Sequence, residues 1–132
     1  MKSNTPQLVQ QFIDALHALE KGEEAQADEV AQLFSDDAHL TNAALQLAGD
    51  AREGRDSIAR FWREYKETLG EAFSEFHQIT TGENAAGLFW TTKGKSPEGK
   101  EIAYDGATLL EFGEDGKIAR FQGYYDTREL QL

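Results

Sequence analysis

The stretch LLEFGEDGKIARFQGYYD, residues 109–126, contains two apolar runs on either side of the turn formers GEDG. Apolar runs bounded by such turns are typical of paired strands. Outward from this hairpin, strand-like runs at 73–81, 85–93, 101–112 and 117–125 are separated by GEN, GKSPEG and GEDG. The pattern predicts an antiparallel meander of four strands over the second half of the chain.

Helical spacing dominates the first half. Apolar residues recur every three or four positions over 8–19 and again over 58–69, where the face is rich in aromatic residues, and a short second helix is predicted over 30–34. The acidic run EKGEEAQADE, 20–29, is interpreted as a solvated helix junction, and AHLTNA, 38–43, alternates like a strand. Helices followed by strands predict an α+β fold, with three N-terminal helices packed on one face of a sheet.

Composition limits the class of protein. The 132 residues fit a single domain, 1–132, that is large enough to bury a core. The formal net charge of -11 disfavours phosphate backbones and anionic lipid headgroups, so no nucleic acid and no membrane partner is expected. The absence of cysteine excludes disulfides, thiolate nucleophiles and cysteine metal sites. No signal-like or membrane-spanning apolar run occurs, which predicts a cytoplasmic protein.

Three stretches carry a resemblance to a known family. QLFSDDAHL at 32–40, GRDSIARFW at 54–62 and the hairpin at 109–126 resemble the SnoaL-like branch of the nuclear transport factor 2 superfamily, which includes steroid Δ5-isomerase. The resemblance spans 8 to about 126. It implies a cone-shaped α+β barrel with a curved, mixed and mostly antiparallel sheet, a deep pocket, a homodimer, and neither metal nor organic cofactor. Members include enzymes and binding domains, so the fold alone does not choose a function.

The isomerase comparison can be made at three positions. The resemblance places Asn42 where the isomerase has its basic aspartate, Phe12 where it has a phenol donor, and Thr108 where it has a buried acid. An amide cannot accept the proton, so the isomerase mechanism is not expected. Asn42 can still orient a ligand by hydrogen bonding, and the alternative is a satisfied buried amide.

Strand alternation predicts which side chains share the pocket face. If Asn42 points inward, every second residue of each strand follows the same parity. With two helical phenylalanines, this predicts a ligand-binding lining of Phe12, Leu40, Asn42, Phe61, Leu88, Trp90, Tyr104, Thr108, Leu110, Phe121 and Tyr125. Apolar walls with a few polar tips are typical of small-molecule sites. The alternative is that these side chains simply fill the core.

Catalytic candidates are few. The carboxylates of Asp105 and Asp126 and the imidazole of His77 are the groups considered for acid–base work. Strand parity turns Asp105 outward unless a bulge intervenes. A solvated or interface acid is the alternative for the two aspartates, and a surface or rim histidine is the alternative for His77. His17 and His39 are expected at the surface or rim. No phosphate loop, nucleophile elbow or metal-ligand spacing occurs, so no metal site and no cofactor is expected.

Two functions remain open. The first is a pocket protein that binds a small apolar or aromatic ligand. The alternative is a cofactor-independent isomerase, cyclase or dehydratase acting by general acid–base chemistry. Catalysis needs a titratable group in the lining, whereas binding needs only shape and hydrogen bonds.

The outward face of the predicted strand-like run 101–112 is unusually apolar. It carries Ala103, Ala107 and Leu109, and a strip of this kind is usually covered. An isologous homodimer through the sheet would cover it.

Overall fold

The computed structural model describes residues 4–129. Its helices are α1 Thr5–Lys21, α2 Ala27–Ala31, α3 Ala43–Leu47 and α4 Arg55–Leu69, with a 3-10 helix at Glu24–Gln26. The two long helices, α1 and α4, are those that the apolar spacing predicts, and each buries the apolar stripe along one side. No helix in the described range is long and apolar enough to cross a bilayer.

Six strands form one mixed, open sheet. They are β1 Phe34–Thr41, β2 Arg52–Glu53, β3 Glu71–Thr81, β4 Ala85–Lys95, β5 Glu101–Phe112 and β6 Ile118–Tyr125. Their order across the sheet is β2-β1-β6-β5-β4-β3. Strands β3 to β6 form the predicted antiparallel meander, and β1 pairs parallel with β6. Helices packed on this sheet confirm the predicted α+β fold class.

The N-terminal half departs from the predicted boundaries. The second helix, α2, ends at Ala31, and Phe34 begins β1 instead of ending that helix. Phe34 pairs with Ile118, whose N–H donates to the carbonyl of Leu33 at 2.8 Å, so strand pairing overrides the local helical spacing. The run predicted as a strand at 38–43 ends in α3, an additional short helix that Asn42 caps.

The core is centred on Phe12 of α1. Its ring centroid lies 6.1 Å from that of Trp62 in α4 and 6.0 Å from that of Phe121 in β6, and Trp62 meets Phe121 edge-on at 5.5 Å. Offset and edge-on aromatic pairs of this kind add about 1 kcal/mol each to the burial of their apolar area. The cluster therefore fixes both long helices against the inner face of the sheet.

The ladder between β4 and β5 is continuous from the pair Ala85 and Glu111 to the pair Lys95 and Glu101. Directly opposite residues of an antiparallel pair share a face, so an unbroken ladder keeps the two faces of these strands separate. The pairing of β3 with β4, in contrast, shifts its register once, where His77 is the extra residue between Phe76 and Gln78.

Candidate functional site

A cavity of about 350 Å³ lies between the long helices and the inner face of the sheet. That size falls within the range of small-molecule sites. Eight of the eleven side chains in the predicted ligand-binding set border it, namely Phe12, Asn42, Phe61, Trp90, Tyr104, Thr108, Phe121 and Tyr125. Whether they bind a ligand stays a prediction.

The other three members of the predicted lining do not border the cavity. Leu40, Leu88 and Leu110 are fully buried in the hydrophobic core. Leu40 and Leu110 both lie opposite Phe121 in the sheet, so they share its face. Parity therefore identifies the inner face, but these leucines are part of the packed core cluster and not of the cavity wall.

Further residues outside the predicted ligand-binding set also border the cavity. They are Leu16, Ala44, Leu45, Arg52, Trp62, Glu64, Tyr65, Thr68, Leu69, Ser74, Phe76, Thr92, Gly123 and Thr127. The guanidinium of Arg52 pairs with the carboxylate of Glu64 at 3.0 Å, and the Glu64 side chain is half exposed. This ion pair therefore lies where the cavity meets solvent.

Asn42 has a structural task that its neighbours reveal. Its Oδ1 accepts a hydrogen bond from the backbone N–H of Leu45 at 2.9 Å, so it caps the N-terminus of α3. Because that donor fixes the oxygen, the side-chain NH₂ is left to donate elsewhere. Asn42 thus combines the two interpretations left open by the sequence: its oxygen is a satisfied cap, and the residue borders the cavity.

Both tryptophans of the chain border the cavity. The indole N–H of Trp90 donates to Oγ1 of Thr108 at 2.9 Å. Gly106 makes room for this indole, because a Cβ there would lie 2.5 Å from Cζ2 of Trp90. The indole N–H of Trp62 is buried and has no partner among residues 4–129.

A buried carboxylate stands behind the wall. Glu20, at the C-terminal end of α1, is 2% exposed, which corrects the interpretation of 20–29 as solvated throughout. Its Oε2 accepts from the phenol of Tyr65 at 2.6 Å and from Oγ of Ser74 at 2.5 Å, and its Oε1 accepts from the Ser74 N–H at 2.9 Å. Ser74 Oγ is also 2.6 Å from Oγ1 of Thr92. The cluster joins α1, α4, β3 and β4.

The sequence held a signal for Glu20. Phe12, Leu16 and Glu20 are spaced four residues apart, so Glu20 falls on the buried stripe of α1. A carboxylate on such a stripe is rarely left unpaired, because burial of a lone charge is costly. The acidic composition of 20–29, taken alone, predicts that Glu20 is solvent-exposed.

Burial controls the acidity of three phenols at the cavity. Desolvation and then the charge of Glu20 raise the pKa of Tyr65 well above its ordinary value. Desolvation, followed by Tyr125 and Glu20, raises the pKa of Tyr104. Burial also raises the pKa of Tyr125, against a lowering by a hydrogen bond from the backbone of Ala44. All three phenols therefore keep their protons at neutral pH.

Two of the catalytic candidates lie together, but on the outer face of the sheet. Nε2 of His77 is 2.6 Å from Oγ1 of Thr91, which donates to Oδ1 of Asp105 at 2.5 Å. His77 and Asp105 are exposed. The continuous β4–β5 ladder keeps Asp105 outward, and neither group borders the cavity.

The third candidate, Asp126, is paired with a neighbour in sequence. The guanidinium of Arg128 donates to its two carboxylate oxygens at 2.8 and 3.0 Å. Side-chain and backbone hydrogen bonds from Arg128 lower the pKa of Asp126 to about 2. A carboxylate of that pKa is a weak base at neutral pH, and Asp126 does not border the cavity.

The two remaining histidines also lie away from the cavity wall. His39 is 3.3 Å from the carboxylate of Glu53 through Nδ1, and its side chain is 43% exposed. His17 packs α1 on β3: its Nε2 is 2.7 Å from the carbonyl oxygen of Ser74 and its ring stacks on Phe73 at 4.6 Å. Among residues 4–129, no three His, Asp or Glu side chains are grouped so as to hold a metal ion.

The outer face carries an apolar strip. Phe89 and Tyr124 are 41% and 50% exposed, and both lie opposite Ala107, one in each neighbouring strand. Leu109, two residues further along β5, is partly exposed, and Ala103 is exposed. The strip therefore runs across three strands of the sheet.

A model of the SnoaL-like domain matches residues 9–121 of the chain. No curated protein matches the chain in sequence. The fold is nevertheless represented among solved structures, where many chains match it.

Three of these solved structures illustrate the likeness. An NTF2-like protein of unknown function from Burkholderia pseudomallei is 18% identical, with a TM-score of 0.81 over 97% of this chain and 95% of that one. Another NTF2-like protein of unknown function, from Exiguobacterium sp. 255-15, is 22% identical. Its TM-score is 0.74 over 90% of this chain and 98% of that one. The third is SalBIII, an epoxide hydrolase/cyclase-like enzyme with a role in pyran ring formation in the polyether salinomycin. It is 12% identical, with a TM-score of 0.75 over 94% of this chain and 92% of that one. At these identities the likeness establishes the fold alone.

Proposed function

Since the chain belongs to the SnoaL-like family, we propose that it is a small-molecule pocket protein that binds a small apolar or aromatic ligand between its long helices and its sheet. The observation that carries the proposal is the cavity of about 350 Å³, with a mainly apolar wall that includes both tryptophans. Burial of an aromatic ring against such a wall supplies affinity, and the few polar groups supply orientation.

Binding is favoured over catalysis by the titratable groups at the wall. Asp105, Asp126 and His77 lie outside the lining, and Asn42 lacks a basic atom. The ionisable groups that do border the cavity in the described range are protonated phenols and the ion pair of Arg52 and Glu64. A protonated phenol cannot accept a proton as a general base does, and the Glu64 carboxylate is held by the guanidinium of Arg52.

A second candidate function has one observation in its favour. The carboxylate of Glu20 contacts two residues of the cavity wall, Tyr65 and Ser74, through hydroxyl hydrogen bonds. A proton could pass between a guest and Glu20 through such a hydroxyl, which would support isomerase, cyclase or dehydratase chemistry without a cofactor. Turnover of a bound compound that Glu20→Gln abolishes while binding persists would favour this second function.

Tryptophan emission tests the binding function directly. Titration with small aromatic compounds, beginning with benzylacetone, should change the emission saturably because both indoles border the cavity. Ala44→Phe should weaken binding at least fivefold, since Ala44 borders the cavity. Ala48→Phe, at the end of the same short helix and outside the lining, is the matched control.

Two outcomes of this titration would contradict the proposal. One is the absence of saturable binding for every aromatic compound. The other is equal affinity in the two alanine variants. Native mass spectrometry of protein purified from cells is an independent search for a retained ligand.

We also propose that two copies associate through the apolar strip of the outer face. Phe89 and Tyr124 expose aromatic surface on both sides of Ala107, and an isologous dimer would remove it from water. The strip is separate from the cavity, because the unbroken β4–β5 ladder assigns the two to opposite faces.

A further inference from the structure

The hydrogen-bond directions at one end of the cavity are fixed by Glu20. A carboxylate can only accept, so the hydroxyls of Tyr65 and Ser74 must both donate to it. Each hydroxyl has a single proton. Neither Tyr65 nor Ser74 therefore has a proton left for a guest.

The same logic extends one residue further, to Thr92. The hydroxyls of Ser74 and Thr92 are 2.6 Å apart, and geometry alone allows either to donate. Because the hydroxyl proton of Ser74 is used in the hydrogen bond to Glu20, Thr92 is the donor in the bond between Ser74 and Thr92. Thr92 borders the cavity. Its hydroxyl proton is used in the bond to Ser74, but Oγ1 still has a free lone pair, so it can accept a hydrogen bond from a guest.

Tyr104 supplies the complementary donor at this end. It lies directly opposite Thr92 across the β4–β5 ladder and borders the cavity. Its hydroxyl has no hydrogen-bond partner among the described residues, and burial holds it protonated by raising its pKa. An acceptor and a donor are thus carried by directly opposite residues on the same face.

The other end of the cavity presents donors. Asn42 has an unused NH₂ because Leu45 occupies its oxygen, and Thr108 has an unused O–H because Trp90 donates to its oxygen. Thr108 pairs with Gly123, and a Cβ at Gly123 would lie only 3.2 Å from Cβ of Asn42. The two donors therefore converge on one place in the wall.

The two ends are separated along a single strand. Tyr104 and Thr108 lie four residues apart on β5, which corresponds to about 13 Å. A hydrogen bond of about 2.8 Å at each end leaves about 8 Å between the polar atoms of a guest. A benzene ring with one short side chain spans such a distance.

We infer that the guest is a neutral, elongated molecule with a hydroxyl at the end held by Thr92 and Tyr104 and a carbonyl oxygen at the end held by Asn42 and Thr108. The inference rests on the proposed binding function and specifies its ligand class. A hydroxyl can donate to Thr92 and accept from Tyr104, whereas an ammonium cannot accept. The oxygens of Glu20 already hold three hydrogen bonds, so they do not call for a cationic guest.

Matched probes test the hydroxyl end. Para-hydroxybenzylacetone carries a phenol and a ketone at opposite ends, para-methoxybenzylacetone has lost the donor, and para-(aminomethyl)benzylacetone carries an ammonium. The hydroxyl probe should bind about fivefold more tightly than the methoxy probe, a ratio that corresponds to the net free energy of one hydrogen bond. Calorimetric affinities in which the methoxy or the ammonium probe binds as well as the hydroxyl probe, or better, would overturn the inference.

Thr92 variants locate the effect. Thr92→Val keeps the shape and removes the acceptor, so the fivefold preference for hydroxyl over methoxy should disappear, whereas Thr92→Ser should retain it. The preference is a ratio within one variant, so a general loss of stability cancels. A preference that survives in Thr92→Val would overturn the assignment of this end.

The outcomes separate this inference from the binding function on which it rests. If none of the probes binds, including unsubstituted benzylacetone, the binding function fails. If all of them bind with equal affinity, the cavity takes aromatic guests but the hydroxyl assignment is wrong.

Discussion

The carboxylate of Glu20 lies 2.6 Å from the phenol oxygen of Tyr65, so the end of α1 is joined to α4 by a buried, charge-assisted hydrogen bond. Hydrogen bonds to charged groups are stronger than neutral ones, and the loss of one partner leaves the others unsatisfied. The two residues are separated by 45 positions in sequence, yet together they hold one wall of the cavity.

Glu20→Gln should destabilise the fold by about 2 to 4 kcal/mol, because an amide replaces a carboxylate that accepts three hydrogen bonds. Urea unfolding monitored by circular dichroism measures the change. Glu29→Gln, at an exposed position of the same acidic run, should alter stability by no more than about 0.5 kcal/mol. Similar losses in the two variants would contradict the role given to Glu20.

Alkaline pH should weaken the fold through Tyr65. Its pKa is raised on folding above an unfolded value of about 10. Its contribution is therefore complete below about pH 10 and is lost as the pH rises toward the folded-state pKa. Urea unfolding across this range should show falling stability, with a shallower fall in Tyr65→Phe. A phenolate absorbance that develops at the same pH in folded and unfolded protein would refute this.

Two substitutions should separate the two tasks of Asn42. Asn42→Ala removes the cap of α3 and should cost about 1 kcal/mol of stability. Asn42→Asp keeps a capping oxygen but has no side-chain N–H. It should therefore cost less stability than Asn42→Ala, while it lowers the affinity for benzylacetone about fivefold. Thermal unfolding and calorimetric titration give the two quantities. Unchanged affinity in Asn42→Asp would exclude the amide as a donor to the ketone.

Gly106→Ala should displace the indole of Trp90. The added Cβ would lie 2.5 Å from Cζ2 of Trp90 and 2.5 Å from the carbonyl oxygen of Tyr124, closer than atoms pack. Overpacking of this kind costs about 1 to 3 kcal/mol, and the tryptophan emission should shift. Gly82→Ala, whose nearest neighbour would be 3.8 Å away, is the control. Unaltered emission and stability in Gly106→Ala would show that the indole is free to move.

Phe89→Lys should convert a dimer into a monomer, because it places a charge within the apolar strip. Light scattering coupled to size-exclusion chromatography measures the mass. Leu47→Lys, on exposed α3 rather than on the strip, should leave the mass unchanged. A wild-type protein that is monomeric at all concentrations would contradict the proposed dimer.

The sheet was the part of the fold most accessible to prediction. The bounds of β5 are those predicted, and its alternation identifies the face shared by Tyr104 and Thr108. Period-two alternation reports only the face of a residue, however, and not its depth. Leu40, Leu88 and Leu110 therefore appear equivalent to Trp90 in sequence, although they are completely buried in the core.

The polar arrangement at the cavity was beyond the reach of pattern reasoning. Glu20 and Ser74 are 54 residues apart, and their contact depends on how α1 crosses β3. The direction of the bond between Ser74 and Thr92 depends in turn on that contact. Spacing alone places Glu20 on a buried stripe, but only three-dimensional distances identify its partners.

The parallel pairing of β1 with β6 has a consequence for biosynthesis. In the described chain, β1 has only two sheet neighbours, the two-residue β2 and β6, which is the last strand. A nascent polypeptide still attached to the ribosome before Ile118 emerges thus lacks the only long neighbour for its earliest strand. Productive pairing of β1 must wait until β6 has emerged, and until then the apolar side chains of Phe34 and Leu40 lack their long strand partner.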